Sequence, residues 1–238
     1  MAKVENNGKN KRKGRGLKIA LIILLLIIVI IAAIFGGAYW YVEDKLGKMQ
    51  QVKISDEELQ INDEVEESLS GYRNIAIFGV DSRSSNLGKG NRSDCIIIAS
   101  INEKTKEVKL ASVYRDTYVQ IQGHGLDKIN HAYSYGEAPL ALGTLNTNLD
   151  LNVKEFVTVN FDAVAEAVDE LGGVQINVEQ NEIEYINGYQ IETSKVTGKE
   201  IKQVTKSGLQ TLNGIQAVSY GRIRYTAGGD YKRTERMR

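Results

Sequence analysis

Four charged side chains crowd the stretch NIAIFGVDSRSSNLGKGNRSDCIIIASI, residues 74–101: Asp81, Arg83, Arg92 and Asp94. Two apolar runs flank them, so two carboxylates and two guanidiniums stand at the mouths of two expected strands. A second acid–base pair, Arg115–Asp116, follows a third run, and Arg222, Arg224, Arg233, Arg236 and Arg238 gather in GRIRYTAGGDYKRTERMR. This mixture suits phosphate chemistry. Two carboxylates can hold Mg²⁺, which takes oxygen ligands and often uses one or two carboxylates beside substrate phosphate oxygens. Guanidinium forks match phosphate oxygens bidentately, and several together stabilise a departing pyrophosphate-type group. The plainer reading is that the charges neutralise one another as surface ion pairs, worth about 0–1 kcal/mol each. Convergence of Asp81, Arg83, Arg92, Asp94, Arg115 and Asp116 weighs against it, because clustered, partly buried charges are costly to hold and tend to mark sites.

The flanking elements must bring these residues together. Residues 74–80, 95–101 and 107–113 read as strands, and the short polar connection 102–106 makes the last two an antiparallel hairpin. Folding that hairpin about Lys104 sets Arg92 opposite Asp116 and Asp94 opposite Tyr114. A helix is expected within 128–149, with Pro139 as its start or a kink. Residues 154–160 read as a strand. Residues 161–171 read as a helix with Phe161, Val164, Ala165, Val168 and Leu171 on one face, stopped by Gly172–Gly173. Another strand is expected at 174–178, then a polar, loop-like stretch at 179–206 with room for a hairpin. A helix begins within 211–224, and another after Gly228–Gly229 with Asp230 as its N-cap. Arg222 and Arg224 would share one side of an extended segment, and Arg233 and Arg236 one helix face. Strands alternating with helices indicate one α/β domain over residues 72–238, a mixed β-sheet flanked by helices.

The rest of the chain sets the topology. Residues 1–18 carry seven Lys/Arg and one Glu, and are expected to stay in the cytoplasm. Residues 19–42 hold no charge, roughly 36 Å of helix, enough to cross a ~30 Å hydrocarbon core. Tyr39, Trp40 and Tyr41 fit the outer interface, which places all that follows outside the membrane. Residues 43–71 read as an acidic, solvated stalk. Of 30 basic and 30 acidic residues, those past residue 18 number 23 and 29, a net charge near −6 that excludes generic nucleic-acid affinity. The one cysteine, Cys95, opens an apolar run and reads as a small buried hydrophobe. NLGKGNRS lacks the Ser or Thr that a P-loop needs after its lysine. His124 and His131 lack cysteine partners at ligand spacing, and no Gly-x-Ser-x-Gly pattern occurs.

In order along the chain, GVDSR (79–83), RSD (92–94), RDTYV (115–119), DKINHAYSYG (127–136), VNF (159–161), LGGV (171–174), LNGIQAVSYGRIRY (212–225) and GGDYKRTER (228–236) resemble the LytR-CpsA-Psr family. The resemblance spans about residues 72–238. It implies a membrane-anchored cell-wall enzyme of Gram-positive bacteria. Such an enzyme moves an anionic glycopolymer, wall teichoic acid or capsular polysaccharide, from a polyprenyl-pyrophosphate carrier to peptidoglycan. The implied acceptor is the C6 hydroxyl of N-acetylmuramic acid, and the implied cofactor is Mg²⁺. By motif matching, Asp81 and Asp94 are the metal-associated carboxylates, and with Arg92 and Arg115 the catalytic set. Arg92, Arg115, Arg222 and Arg224 bind the pyrophosphate, supported by Arg83, Asp116, Arg233 and Arg236. The family's polyprenyl chain lies in an apolar cavity between sheet and helices. Two departures stand out: Tyr114 occupies a position where the family usually has proline, and Met237 one where glutamine is common. The family domain continues past Arg238, so the sequence is expected to lack part of it. Hydrolysis by the same site would make a polyprenyl-pyrophosphate phosphatase. The non-enzymatic alternatives are a membrane-bound envelope or transcriptional regulator and a passive binder of wall polymer. Direct DNA contact fits poorly with a cytoplasmic tail of about 18 residues.

Overall fold

The structure, a computed structural model, describes residues 10–47, 51–82 and 87–224. Arg83, Arg233 and Arg236, with the helix expected after Gly229, lie outside the described residues. Helix α1 (Asn10–Gly47) contains Ile23–Tyr41, a span of 19 residues with none buried, long and apolar enough to cross a membrane.

The compact body begins at Ile54, ahead of the strand where the sequence places its start. Two short helices, α2 (Asp56–Leu59) and α3 (Asp63–Ser68), open it. Ser55 and Glu58 close a capping box: Glu58 N–H donates to Ser55 Oγ at 3.4 Å, and Ser55 N–H to Glu58 Oε2 at 2.9 Å. Leu59 is buried in the main core, and its carbonyl accepts from Asn146 Nδ2 at 2.8 Å. The acidic run around Leu59 is therefore part of the body from Ile54 on. Its sequence disguises this, because the apolar anchors are sparse, Leu59 with the partly buried Ile54 and Ile61, and polar contacts such as Thr147 Oγ1 to Gln60 Oε1 and Lys154 to Glu66 do the rest.

Strands β1 (Tyr72–Val80), β2 (Ser93–Asn102), β3 (Val108–Ser112) and β6 (Glu155–Val159) form one sheet in the order β3-β2-β1-β6. Between β3 and β6 lie β4 (Tyr118–Ile121), β5 (Gly125–Lys128) and helix α4 (Ile129–Leu149). β1 pairs antiparallel with β2 and parallel with β6, so the sheet is mixed as expected. Ala76, Phe78 and Val80 of β1 and Ile96 and Ile98 of β2 turn to one face. Ile129, Ala132, Tyr133, Ala138, Leu142 and Leu145 of α4 join them in the main core. Gly143 is required where α4 meets α2, since a Cβ there would lie 2.5 Å from the Glu58 carbonyl oxygen. The expected break in α4 falls at Gly136–Glu137, just before Pro139, with Glu137 held at φ 58.

The second part of the body follows β6: α5 (Phe161–Glu170), β7 (Val174–Val178), a 3-10 turn (Gln180–Glu182), α6 (Ile183–Thr197), β8 (Gly208–Leu212) and α7 (Gly214–Gly221). β7 and β8 pair antiparallel, and Val178, Ile186, Val204, Leu212 and Ile223 form its core. The region read as loop-like contains the 15-residue helix α6. Two of the three buried positions of α6, Ile186, Gln190 and Thr193, are polar, which hides the helical period. They are satisfied internally: Lys202 N–H donates to Gln190 Oε1 at 3.1 Å, and Thr193 Oγ1 to the Tyr189 carbonyl at 2.9 Å. Of the apolar face expected on α5, Ala165 is buried while Val164 and Leu171 are exposed.

Candidate active site

One end of the main sheet gathers the charged residues. β1 and β6 run parallel and leave this end at Asp81 and Asn160, β2 enters it at Ser93, and β3 leaves it toward Arg115. The hairpin joining β2 to β3 differs from the expected register by one residue. Asn102 N–H donates to the Glu107 carbonyl at 2.9 Å, and Lys106 takes φ 62, so four residues turn between them. The fold centre lies between Lys104 and Thr105 rather than on Lys104. Ile97 then pairs with Ser112, and farther along Asp94 meets Arg115 instead of Tyr114.

A second irregularity aims Asp94. Gly79 pairs with Cys95 but Val80 pairs with Ser93, which makes Asp94 the extra residue of a β-bulge. The bulge turns Ser93 to the buried face and leaves Asp94 half-buried at the sheet end. Cys95 is exposed rather than buried, because alternation with the inward Ile96 and Ile98 turns it to the opposite face.

Arg115 Nη1 donates to Asp94 Oδ1 at 2.8 Å, and Arg115 Nε lies 3.4 Å from Asp116 Oδ2. Lys128 Nζ reaches Asp116 Oδ1 at 2.6 Å, and that hydrogen bond above all holds the Asp116 carboxyl below its ordinary range. Arg115 and Asp116 are the central residues of a turn closed by Thr117 N–H donating to the Tyr114 carbonyl at 3.0 Å. Asp81 and Arg92 are exposed at the two mouths of the β1–β2 connection. That connection is fastened to α4: Tyr133 OH donates to the Leu87 carbonyl at 3.1 Å, Gly90 N–H to the Ser134 carbonyl at 3.1 Å, and Lys89 N–H to Glu137 Oε1 at 2.9 Å. The strained backbone of Glu137 thus sits where it receives the loop.

Arg222 is placed differently from the expectation. It caps α7 instead of lying in an extended segment, and its partners are Glu192 Oε2 at 3.0 Å and Thr193 Oγ1 at 3.1 Å. Its guanidinium also lies 5.1 Å from the Phe161 ring centre and 5.2 Å from that of Tyr189. Phe161 follows β6, so this contact sets Arg222 near the same end of the sheet, committed to α6 rather than to Asp81 or Asp94. Arg224 is exposed, and buried Ile223 separates the two.

The structure adds a cluster that the sequence reading passed over. Asp127 Oδ2 accepts from Tyr135 OH at 2.7 Å and lies 2.8 Å from His131 Nδ1, while Asp127 Oδ1 accepts from Lys128 N–H at 2.7 Å. His124 stacks on Tyr135 at 4.1 Å, and Arg92 lies close enough for its charge to act on the Tyr135 phenol. His131 and Tyr135 lie one turn apart on α4, so both reach the carboxylate of Asp127 at the end of β5. The hydrogen bonds from His131, Tyr135 and Lys128 N–H hold the Asp127 carboxyl down to about 2. An unfolded aspartate titrates near ~3.9, so the unfolded chain takes up this proton first as pH falls. Stabilisation by Asp127 is therefore full above roughly pH 5 and lost on going down through about pH 2. In urea titrations, Asp127→Asn is expected to be less stable than the parent at pH 7, with the difference closing toward pH 2. A difference that stays constant with pH would place the effect elsewhere.

Among the described residues no three His, Cys, Asp or Glu side chains gather to hold a metal ion alone. Asp81 follows the last residue of β1 and Asp94 stands at the start of β2, so two carboxylates share one sheet end, and carboxylate oxygen is the donor type that a hard cation takes beside phosphate oxygens and water. Two buried acceptors on neighbouring backbone, Ser93 Oγ next to Asp94 in the chain and Asn130 Oδ1 on the residue whose N–H bonds the Arg115 carbonyl, have no hydrogen-bond partner.

Known proteins match this arrangement over most of the chain. The model of the LytR_cpsA_psr family matches residues 38–238. The chain is 34% identical over 230 residues to the polyisoprenyl-teichoic acid–peptidoglycan teichoic acid transferase TagU of Enterococcus faecalis, covering 94% of this chain and 69% of that protein. It is 32% identical over 244 residues to the transferase TagT of Bacillus subtilis, covering 98% of this chain and 72% of that one. A solved structure of YwtF (TagT) with bound octaprenyl pyrophosphate lipid superposes with a TM-score of 0.52 at 31% identity. That match covers 71% of this chain and 62% of the solved one, so the chain spans under two thirds of that relative's length. The ordered motifs, the mixed sheet and the matched span together place this chain in the LytR_cpsA_psr family.

Proposed function

We propose that the protein is a membrane-anchored phosphotransferase. It moves an anionic glycopolymer from a polyprenyl-pyrophosphate carrier to the C6 hydroxyl of N-acetylmuramic acid in peptidoglycan. The observation that carries this reading is the Asp94–Arg115 pair, 2.8 Å apart and only partly exposed, at the sheet end where Asp81 and Arg92 also stand. Relatives 32–34% identical to this chain are named as teichoic acid transferases, and one solved relative holds a polyprenyl pyrophosphate.

In the proposed reaction the acceptor oxygen forms a bond to the phosphorus that carries the glycopolymer. The bond from that phosphorus to the bridging oxygen breaks, polyprenyl monophosphate leaves with the electron pair, and a carboxylate at the site takes the acceptor proton. Arg115 and Arg92 offer guanidinium donors to the charge that develops on the leaving oxygens. Asp116 and Lys128 hold the Arg115 turn in place. Mg²⁺ bound by Asp81 and Asp94 would supply Lewis-acid stabilisation of the same charge. Helix α1 would tether the body outside the membrane, beside a lipid-linked donor.

The test is transfer from a defined lipid-pyrophosphate donor to peptidoglycan oligomers, with and without Mg²⁺. The expected product is a phosphodiester-linked conjugate that mass spectrometry detects only when the acceptor is present. Release of free phosphorylated polymer at the same rate without acceptor would make the protein a phosphatase. No turnover of the donor under either condition would refute an enzymatic role.

A further inference from the structure

Two polar atoms at the candidate active site are buried without a protein partner. Ser93 is 0% exposed and Asn130 4% exposed, and neither Ser93 Oγ nor Asn130 Oδ1 makes a hydrogen bond. Buried polar groups are nearly always satisfied, because leaving one bare is costly. Both residues are tied to the Asp94–Arg115 pair through the backbone. Ser93 adjoins Asp94 and faces inward only because of the bulge. Asn130, in the first turn of α4, donates its N–H to the Arg115 carbonyl at 3.2 Å, and Arg115 in turn holds Asp94. Ser93 therefore faces inward at the residue next to Asp94, and Asn130 is buried where α4 bonds the backbone of Arg115.

Their chemistry narrows the missing partner. An amide oxygen only accepts hydrogen bonds, and a serine hydroxyl can accept as well as donate. Phosphate oxygens also only accept, so a phosphoryl group leaves Asn130 Oδ1 bare. A water on a divalent cation has the opposite character: its oxygen is committed to the metal and its hydrogens need acceptors. Mg²⁺ keeps several such waters when it is held by one or two carboxylates. We infer that Ser93 and Asn130 are positioning residues, buried acceptors for the water shell of a divalent cation held at Asp81 and Asp94. This inference rests on the metal-assisted reading above and adds to it the residues that orient the hydrated ion.

Mn²⁺ titration of the full chain in detergent, followed by electron paramagnetic resonance of the free ion, tests it without an activity assay. Ser93→Ala and Asn130→Ala are each expected to weaken Mn²⁺ binding by about 10–100-fold, as loss of an outer-shell partner does. The metal-free thermal midpoint of Ser93→Ala should equal or exceed that of the parent, because an unpaired buried hydroxyl is removed. If Asp94→Asn abolishes binding while both alanine variants bind as the parent does, the cation site stands and this inference fails. A lower metal-free midpoint with unchanged Mn²⁺ affinity would assign the two side chains to the fold alone. If the parent shows no saturable Mn²⁺ binding, the metal reading and this inference fall together.

Discussion

Replacing Arg115 by alanine should lower kcat/KM for glycopolymer transfer by about 10²–10³, the usual scale for loss of a preorganised donor that stabilises developing oxyanion charge. The side chain has two tasks. Nη1 holds Asp94 and Nε faces Asp116, so its removal frees both carboxylates and, on the proposed mechanism, takes away a donor to the leaving phosphate. Lysine should restore only part of the rate, because a point charge cannot reproduce the fork that spans both acids. Stability should change little. The Arg115 side chain is 32% exposed and that of Asp94 33%, and partly screened pairs of this kind are worth about 0–1 kcal/mol. Parallel measurement of transfer rate and thermal midpoint separates the two effects. A large fall in the midpoint with an unchanged rate per folded molecule would remove Arg115 from the catalytic set.

Phe78→Ala is the substitution expected to cost the body most. Its ring is fully buried in the middle of β1, 5.3 Å from the Tyr133 ring and 6.4 Å from that of Phe156. Those contacts join β1 to α4 and to β6, and Tyr133 is also the residue that grips the β1–β2 loop through Leu87. Truncating a buried phenylalanine typically destabilises by about 3–5 kcal/mol, from lost burial plus the cavity left behind. Whole domains are stable by only about 5–15 kcal/mol, so the loss is a large share of the total. Urea titration should show a lower midpoint with an unchanged slope. A loss below about 1 kcal/mol would mean that the surrounding core collapses into the gap.

Most of the sheet was legible because its strands are apolar and end in turn residues: 74–80, 95–101 and 107–113 each lie within a residue or two of β1, β2 and β3. What escaped depends on details that hydrophobic pattern does not carry. The hairpin lies where the apolar pattern puts it, but its turn holds four residues rather than five, with Lys106 left-handed, and that parity exchanges Tyr114 for Arg115 opposite Asp94. The bulge at Asp94 leaves no mark in composition, yet it turns Ser93 to the same inward face as Ile96. Helix α6 was hidden by Gln190 and Thr193, polar residues that pair inside the core. β8 was read into the start of the helix that follows it, because Leu212 belongs to the strand and Asn213 is the cap of α7. Of the site, the charges at strand ends could be read directly. The set Asp127, His131 and Tyr135 could not, because its spacing marks a shared carboxylate only once a helix start is placed at Ile129.

Helix α4 does two jobs along its length. Its first turns carry Asn130, His131 and Tyr133 to the charged end of the sheet, while Gly143 and Asn146 grip the backbone of α2, where the chain enters the body. The break at Gly136–Glu137 falls between the two. In building terms the helix is a bracket with two arms: one sets the residues beside Arg115, the other fastens the entering chain, and both are fixed to the same core.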